Sequence, residues 1–398
     1  MTAMTMIDEP DQVAIRCTVL RGGTSKGVYL LEHDIPPPGA LRDRLLKRIM
    51  GTPDILQIDG LGGSRLITSK MAIVQRSARA DADVDYTYAQ VVLERDLVMY
   101  TSNCGNISAG VGPFAIDAGL VAVTPGVTQV RIHNTNTGKI LVAHVPVAGG
   151  RAKVTGDFAI DGVPGTGAEI RMDYVQTIGA KTGRILPTGQ AADLLALEDG
   201  RIVPVTICDV ANPCVFVRAE DVGLEGSELP EAFAANPALI QRLREVRGKS
   251  AERIGFCNDW RDVDRQSPGL PLLVVVSTPC AYTSMRGETV VPDRTDLRAR
   301  LVWYNKCHES MAGTGSICTA AASRVPGSIV HDVIGAEAAA ADRLRIGHPM
   351  GVMSVNVQAV PSNELGGVAF SALSFSRTAR RIMDGFVYVP RVTLRAVD

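Results

Sequence analysis

A cysteine that precedes a helix of very small residues places the strongest constraint on the fold of this 398-residue chain. A predicted strand at 97–100 is followed by an NCGN motif at 103–106, and residues 107–120 are predicted to form a helix. Glycine inside a helix costs about 0.5–1 kcal/mol relative to alanine, so Gly110 and Gly112 require a packing reason. Closely surrounding strands would provide one.

The second half of the chain repeats this design. An AGTG motif at 312–315 opens a second small-residue helix, predicted at 316–323. Each half thus has one glycine-rich helix start, which favours a duplication with a boundary near 187–190. The length of the chain also suits about two domains. We therefore predict an N-terminal domain at 1–188 and a C-terminal domain at 189–398, with the last strand able to return to the first domain.

Short β-rich runs separated by turn residues dominate the rest of the sequence, which indicates an α+β fold with extensive antiparallel sheet. The predicted strands are 13–20, 28–31, 71–74, 86–93, 127–133, 140–147, 203–210, 215–218, 272–277, 301–304, 352–357, 368–375 and 386–389. The predicted helices are 40–50, 107–120, 230–246, 316–323 and 379–383.

Composition excludes several classes of function. The formal net charge of -1 argues against nucleic acid or a polybasic membrane surface as the main partner. No apolar run reaches the roughly 18 residues of a membrane-spanning helix. The acidic N-terminal segment lacks the basic and apolar pattern of a secretory signal, so we expect a cytoplasmic location. The eight cysteines form no C-x-x-C pairs and the six histidines are scattered, so we predict reduced thiols and no metal site.

Cys104 is the first candidate for chemistry. The unpaired N–H groups and the dipole at a helix N-terminus acidify a thiol, and the same N–H groups form a carboxylate site. This combination suggests acid/base chemistry on a small anionic substrate. The alternative is a buried and inert thiol, which is common for cysteine.

Two further segments carry donors and a possible base. Residues 21–27 lack the spacing of a phosphate loop, but Thr24, Ser25 and Lys26 could donate hydrogen bonds to a carboxylate. The alternative for this segment is a tight hairpin with a solvated lysine.

Lys70 follows a glycine-rich loop and is the first residue of a predicted strand. Burial there could lower the pKa of its amine and make it a base. The alternative is an ordinary surface lysine.

Six motifs in order, which span nearly the whole chain, resemble the PrpF family of tricarboxylate isomerases in the diaminopimelate epimerase-like superfamily. The motifs are 21–27, 57–63, 68–70, 103–106, 347–349 and 377–380. The resemblance implies two related domains, each a central helix wrapped by a curved, mostly antiparallel sheet.

The resemblance also implies a Lys70 and Cys104 catalytic pair, with the base and the acid left unassigned. Epimerases of the superfamily use a cysteine at each helix start, whereas Ala312 occupies the second position here, which disfavours a two-thiol racemase. The implied substrate-binding residues are Arg21, Thr24, Ser25, Lys26, Ser64, Ser69, Asn103, Gly105, Asn106, His308, Gly313, Thr314, Gly315 and Ser316.

The implied activity is a cofactor-independent isomerisation of an unsaturated di- or tricarboxylate. Substrates of the 2-methylaconitate, 3-methylitaconate, 4-oxalomesaconate and aconitate types remain open, and a homodimer is a candidate assembly. In each case a base removes a proton allylic to a C=C bond, and the proton returns to a delocalised dienolate. The alternatives are an amino-acid epimerase or racemase and a carboxylate-binding protein without turnover.

Overall fold

The computed structural model describes residues 7–8, 10–362 and 366–395. It divides into a first unit, Met1–Met172 with Arg377–Asp398, and a second unit, Asp173–Ser376. This division falls earlier in the chain than the predicted boundary between 188 and 189. The reason lies in local packing, because the ring of Tyr174 stacks on that of Phe375 at 5.1 Å between centroids, inside the second unit.

Short strands make up most of the structure, in agreement with the α+β prediction at this coarse level. The strands are β1 (Ile7–Asp8), β2 (Gln12–Gly22), β3 (Ser25–Leu31), β4 (Lys70–Arg76), β5 (Val84–Val91), β6 (Val98–Met99), β7 (Val127–Asn134), β8 (Lys139–Ala148), β9 (Arg151–Ala152), β10 (Phe158–Ala159), β11 (Thr166–Gly167), β12 (Ile170–Asp173), β13 (Asp193–Ala196), β14 (Ile202–Val210), β15 (Asn212–Arg218), β16 (Leu272–Ser277), β17 (Tyr282–Thr283), β18 (Thr289–Val290), β19 (Leu297–Trp303), β20 (Lys306–Cys307), β21 (Arg343–His348), β22 (Gly351–Pro361), β23 (Val368–Arg377) and β24 (Ala379–Pro390).

The helices are fewer. They are α1 (Ala40–Met50), α2 (Gly105–Asp117), α3 (Pro230–Ala234), α4 (Pro237–Arg253), α5 (Val263–Gln266), α6 (Gly313–Ala322), α7 (Ile329–Val333) and α8 (Ala336–Ala340). Short 3₁₀ turns lie at Glu32–Asp34, Leu66–Thr68, Val175–Thr177, Glu220–Val222, Trp260–Asp262, Pro292–Arg294 and Arg391–Leu394. Among the described residues, no helix combines the length and the apolar character needed to cross a membrane.

The first unit is built on a mixed sheet with the order β24-β2-β3-β4-β5-β7-β8-β9. The pairs β3–β4 and β5–β7 are parallel, and the other neighbours are antiparallel. Helix α1 packs on this sheet through Leu45, Leu46, Ile49 and Met50, which join one hydrophobic core. Helix α2 contacts β2, β3, β4, β7 and β8, and all of its residues from Gly105 to Ile116 are buried.

The two glycines inside α2 have the packing reason that the sequence predicted. A Cβ atom on Gly110 would lie 2.3 Å from the hydroxyl oxygen of Tyr29 and 2.5 Å from Cδ2 of Leu20. A Cβ atom on Gly112 would lie 2.7 Å from Cγ2 of Val145. The expectation of closely surrounding strands is thus confirmed, because strands on several sides approach the helix backbone to within contact distance.

The second unit contains a comparable sheet with the order β13-β14-β15-β16-β19-β21-β22-β23. Here β15–β16 and β19–β21 are parallel. Helix α6 is buried along its whole length, from Gly313 to Ala322. Helix α4 packs through Leu239, Leu243 and Val246 into a second hydrophobic core.

Every predicted strand coincides with an observed strand, and the predicted helices at 40–50, 107–120 and 316–323 coincide with α1, α2 and α6. The predicted helix at 379–383 is wrong. These residues begin β24, which pairs with β2 from Ala379 opposite Gly22 to Pro390 opposite Gln12. A β-bulge between Val19 and Leu20 shifts the pairing at this point, so the period of a regular strand is not visible in the sequence.

The predicted helix at 230–246 is two helices. The first ends at Ala234, with Ala235 as its C-cap residue. Asn236 caps the second, because its side-chain oxygen accepts a hydrogen bond from the backbone N–H of Leu239 at 3.0 Å. Pro237 occupies the first position of α4, where its missing N–H has no consequence.

We expect Gly110→Ala to destabilise the protein by about 1–3 kcal/mol, because the added methyl group must displace Tyr29 or Leu20. Thermal melting would show this as a Tm lowered by roughly 2–4 °C for each kcal/mol. Gly335→Ala is the matched control, since a Cβ atom there meets nothing within 4 Å. An unchanged Tm for Gly110→Ala would contradict the packing described here.

Candidate active site

Three polar side chains that are far apart in sequence meet in the first unit. The Nζ atom of Lys70 lies 3.3 Å from Sγ of Cys104 and 3.1 Å from Oγ of Ser25. Lys70 begins β4, Ser25 begins the adjacent β3, and Cys104 is the N-cap residue of α2. All three residues are buried. The structure thus brings together the two predicted catalytic residues and one predicted binding residue.

Glycines allow this close approach. A Cβ atom on Gly27 would lie 2.8 Å from the carbonyl oxygen of Lys70, so only glycine lets β3 and β4 lie side by side here. In the turn between β2 and β3, Gly23 has φ of +52°, and a Cβ atom on it would lie 2.2 Å from Oδ1 of Asn106. The turn therefore rests on the first turn of α2 and fixes Ser25 relative to Cys104.

A hydrogen-bond chain fixes the backbone that leads into Lys70. Ser69 donates from its hydroxyl to Oε1 of Gln57 at 2.7 Å, and Nε2 of Gln90 donates to the carbonyl oxygen of Ser69 at 2.9 Å. The hydroxyl of Tyr88 in turn donates to Oε1 of Gln90. Ser69, a predicted binding residue, therefore uses its hydroxyl to orient the strand start.

A second network fixes the loop before Cys104. Oδ1 of Asn103 accepts hydrogen bonds from Oγ of Ser108 at 2.9 Å and from Nδ2 of Asn134 at 3.4 Å. Nδ2 of Asn136 donates to the carbonyl oxygen of Tyr100 at 2.7 Å. These contacts tie the loop to β7 and to the turn that follows it. Asn103 thus acts on the conformation of the loop, and sequence reasoning missed Asn134 and Asn136.

The start of α2 also holds the predicted residues Thr24 and Asn106 together. Nδ2 of Asn106 donates to Oγ1 of Thr24 at 3.0 Å, and Oδ1 of Asn106 accepts a hydrogen bond from Nε of Arg377 at 3.0 Å. Arg377 is buried and was not predicted as a site residue, although it lies in one of the six motifs. The guanidinium of Arg21 donates to the carbonyl oxygen of Thr378 at 2.8 Å, so Arg21 supports the β2–β24 pairing.

Two other predicted binding residues, Lys26 and Ser64, do not point toward Lys70 and Cys104. Lys26 follows Ser25 along β3, and successive side chains of a strand point to opposite faces, so Lys26 points away from the side on which Ser25 meets Lys70. Ser64 is exposed, and its hydroxyl donates to the carbonyl oxygen of Leu56 at 2.7 Å. Ser64 is therefore part of the surface loop that precedes Ser69. Gly105 is the first residue of α2 and directly follows Cys104.

The predicted residues of the second unit surround the start of α6. Ala312 is the N-cap residue, and Nδ2 of Asn212 donates to Oγ1 of Thr314 at 2.9 Å. The hydroxyl of Ser316 donates to the carbonyl oxygen of Gly313 at 2.7 Å. A Cβ atom on Gly315 would lie 2.5 Å from Cδ1 of Leu301. The small side chains thus let the strands approach α6 closely, and Asn212 is a polar residue that sequence reasoning missed.

His308 is buried in the same unit. Its Nδ1 atom lies 2.7 Å from the carbonyl oxygen of Ser310 and 3.0 Å from the backbone nitrogen of the same residue. These contacts fix the ring against the loop that leads to α6.

Two other buried thiols lie in surroundings that oppose their ionisation. Burial raises the pKa of the Cys17 thiol to about 11, with a further contribution from the nearby Asp384 carboxylate. Burial also raises the pKa of the Cys307 thiol to about 12, against an opposing effect of Arg300. Cys280, by contrast, is exposed. Within the described residues, no group of three or more His, Cys, Asp or Glu side chains is arranged to hold a metal ion.

The family profile described as PrpF protein matches residues 12–390. The chain belongs to the PrpF family. It is 47% identical over 385 residues to the 3-methylitaconate isomerase of Eubacterium barkeri, with 96% of this chain and 99% of that protein covered. It is 40% identical over 382 residues to the 4-oxalomesaconate tautomerase of Pseudomonas putida, with 96% and 98% covered.

Structure comparison gives the same family. The chain is similar to the crystal structure of a methylitaconate-delta-isomerase, with a TM-score of 0.78, 45% sequence identity and coverage of 97% of this chain and 98% of that one. The resemblance to the PrpF family is thus confirmed, and so is the prediction of an isomerase of the PrpF type.

The thiols provide a test of the buried environments. At pH 8, a thiol with a pKa near 11 is only about 0.1% thiolate, the form that reacts with iodoacetamide. We therefore expect native protein to be alkylated at Cys280 while Cys17 and Cys307 remain unmodified, as read by mass spectrometry. Labelling in concentrated guanidinium chloride is the control, in which all three should react. Rapid modification of native Cys17 would contradict its assigned burial.

Proposed function

We propose that the protein isomerises an unsaturated di- or tricarboxylate by moving or rotating a C=C bond, with Lys70 and Cys104 as the proton-transfer pair. The observation that carries this proposal is the contact of 3.3 Å between Nζ of Lys70 and Sγ of Cys104. Both side chains are buried, with Lys70 only 2% exposed. A lysine without a chemical role rarely adopts such a position, because burial of an amine is unfavourable.

The pair contains one base and one acid in either of its two forms. If the proton lies on Lys70, the ammonium is the acid and the Cys104 thiolate is the base. If it lies on Cys104, the amine is the base and the thiol is the acid. The two forms hold the same number of protons and differ by one transfer along the observed contact. The pair can therefore remove one proton and deliver another without an outside donor.

The proposed reaction balances within the substrate. The base removes a proton from the carbon allylic to the C=C bond, and the electron pair of that C–H bond spreads into a dienolate that ends on a carboxylate. Return of a proton to the other end of the allylic system moves the double bond. Return to the original carbon after bond rotation gives cis–trans isomerisation. In both cases the substrate and the enzyme finish with their original numbers of protons.

The negative charge of the dienolate requires hydrogen-bond donors that stabilise it. The first N–H groups of a helix lack partners within the helix, and those of α2 follow directly after Cys104. Oγ of Ser25 contacts Lys70 at 3.1 Å and so lies beside the same point. Donors placed where charge develops stabilise a transition state. We assign carboxylate binding to this helix start together with Ser25, Thr24 and Asn106.

We also infer that the two units arose by duplication, each with a central helix wrapped by its sheet. The order of pairings supports this inference. In the first unit β2–β3 is antiparallel, β3–β4 parallel, β4–β5 antiparallel, β5–β7 parallel and β7–β8 antiparallel. In the second unit β14–β15, β15–β16, β16–β19, β19–β21 and β21–β22 follow the same order. Helices α2 and α6 occupy the same place in the two series.

This correspondence argues against a two-cysteine epimerase. Ala312 stands where Cys104 stands in the first unit, because each is the N-cap residue of its central helix. Leu272 begins β16 as Lys70 begins β4, and each is the first residue of its strand to pair with the preceding parallel strand. At these two positions the second unit therefore has neither a thiol nor an amine. A binding protein without turnover would need neither Lys70 nor Cys104.

Proton NMR in D2O tests the proposed reaction. We expect at least one of cis-aconitate, 2-methylaconitate, 3-methylitaconate and 4-oxalomesaconate to be isomerised, with deuterium incorporated at the allylic positions. The relatives named above support 3-methylitaconate and 4-oxalomesaconate as the first substrates to offer. A complete absence of isomerisation and exchange with all four compounds would refute the proposal.

Removal of either proton-transfer group should abolish most turnover. We expect Lys70→Met and Cys104→Ala each to lower kcat by at least about 100-fold, the usual scale for general acid/base groups. Lys47→Met and Cys280→Ala are the controls, because Lys47 pairs with Asp96 and Cys280 is exposed. Initial rates with the substrate found by NMR provide the measurement. Near-normal kcat in a folded Lys70 or Cys104 variant would remove that residue from the mechanism.

A further inference from the structure

A basic groove lies along the C-terminal half of α2, in the first unit. It has a volume of about 330 Å³ and is lined by residues of α2, of the segment 151–154 and of the start of β24. We define the basic groove by its four cationic residues, Arg151, Lys153, Arg380 and Arg381. Asp117 is the one carboxylate among the residues that line it. The volume is at the lower end of the range of small-molecule sites, about 300–1,000 Å³.

The positive charge of the groove is only partly neutralised. Asp117 lies 3.6 Å from Nε of Arg151 and 3.6 Å from Nη1 of Arg381. Within the described residues, the side chains of Lys153 and Arg380 have neither a hydrogen-bond partner nor an ion-pair partner. Four cations thus face one carboxylate, in a chain whose formal net charge is -1.

Arg380 also repels a neighbouring cation. Burial lowers the pKa of Arg21, and the charge of Arg380 lowers it further. The guanidinium of Arg21 already donates hydrogen bonds to the carbonyl oxygens of Gly23 and Thr378, at 2.9 and 2.8 Å. An anion beside Arg380 would relieve this repulsion, since opposite charges a few ångströms apart attract.

The groove is separate from the Lys70–Cys104 pair. Its lining residues on α2 are Pro113 and Asp117, nine and thirteen positions beyond Cys104. At 1.5 Å per residue this places them about 14–20 Å along the helix from the thiol. The groove therefore lies beside the end of α2 opposite to its N-terminus.

We propose that the basic groove is a second binding site, for a small multivalent anion with two or more carboxylate or phosphate groups. Lys153 and Arg380 provide the unpaired cations, and Arg151 and Arg381 exchange their loose contacts with Asp117 for contacts with the ligand. Such pairs between guanidinium and carboxylate or phosphate are strong because they are charge-assisted. This proposal does not depend on the proposed isomerase function.

The site also has a structural connection to the start of α2. Arg380 and Arg381 belong to β24, and the residues just before this strand are Arg377, which donates to Asn106, and Thr378, which accepts from Arg21. An anion that orders the start of β24 would act on the same chain segment that supports the first turn of α2.

Citrate and pyrophosphate are suitable probes, with acetate at matched ionic strength as the monovalent control. We expect hydrogen–deuterium exchange to show protection of 151–154 and 379–381 by citrate or pyrophosphate and not by acetate. In Lys153→Glu/Arg380→Glu, both exposed positions, this protection should disappear, and the affinity measured by calorimetry should fall at least tenfold. Stronger protection by pyrophosphate would assign a phosphate ligand, and stronger protection by citrate a polycarboxylate.

Two control variants complete the hydrogen–deuterium exchange experiment. Arg95→Glu/Arg286→Glu carries the same charge change at exposed positions outside the groove and should keep the protection. Lys70→Met should also keep it, which separates this site from the catalytic pair. The proposal is overturned if the groove is never protected, if protection persists in the Lys153/Arg380 variant, or if acetate protects equally well.

Discussion

The enclosure of α2 by strands is the constraint on which the first unit depends. Every residue from Gly105 to Ile116 is buried, so strands approach the helix on several sides. A Cβ atom on Gly22 would lie 2.3 Å from the carbonyl oxygen of Asn106, which shows how closely the β2–β3 turn contacts the helix backbone. Because packing of this kind does not tolerate displacement, the position of Cys104 follows from the position of the sheet. The chemistry of the site is thereby coupled to the packing of the core.

The polar residues around the proposed catalytic pair fix the backbone on either side of it. Gln57 and Gln90 hold Ser69, and Asn134 holds Asn103 through its side chain. Neither network includes the thiol or the amine itself, and both fix the backbone immediately before the residue that carries it. Proton transfer is sensitive to small changes in geometry, so this rigid backbone is part of the proposed mechanism.

The sequence singled out Lys70, which follows a glycine-rich loop and begins a strand, and Cys104, which directly precedes the first residue of a small-residue helix. Their pairing came from the resemblance to the PrpF family and stays a prediction. The sequence did not identify Gln90 or Asn136, since an amide in the middle of a polar strand or turn has no distinguishing pattern. It also grouped Lys26 with Ser25, whereas adjacent side chains on a strand point in opposite directions. The error at 379–383 has a similar origin, because its residues suit a helix and only the pairing with β2 makes them a strand.

The sequence alone indicated most of the regular elements, the two small-residue helices and the family, and it led to the two residues of the proposed catalytic pair. These are local features, or they depend on motifs that are continuous in the chain. The tertiary structure decided which side chains meet Lys70, which polar groups hold Ser69 and Asn103, and that Arg377 contacts Asn106 across 271 positions. It also revealed the basic groove, since its cations come from two segments more than 200 positions apart. Contacts of this kind arise from the folding of distant segments against one another, and local propensity contains no information about them.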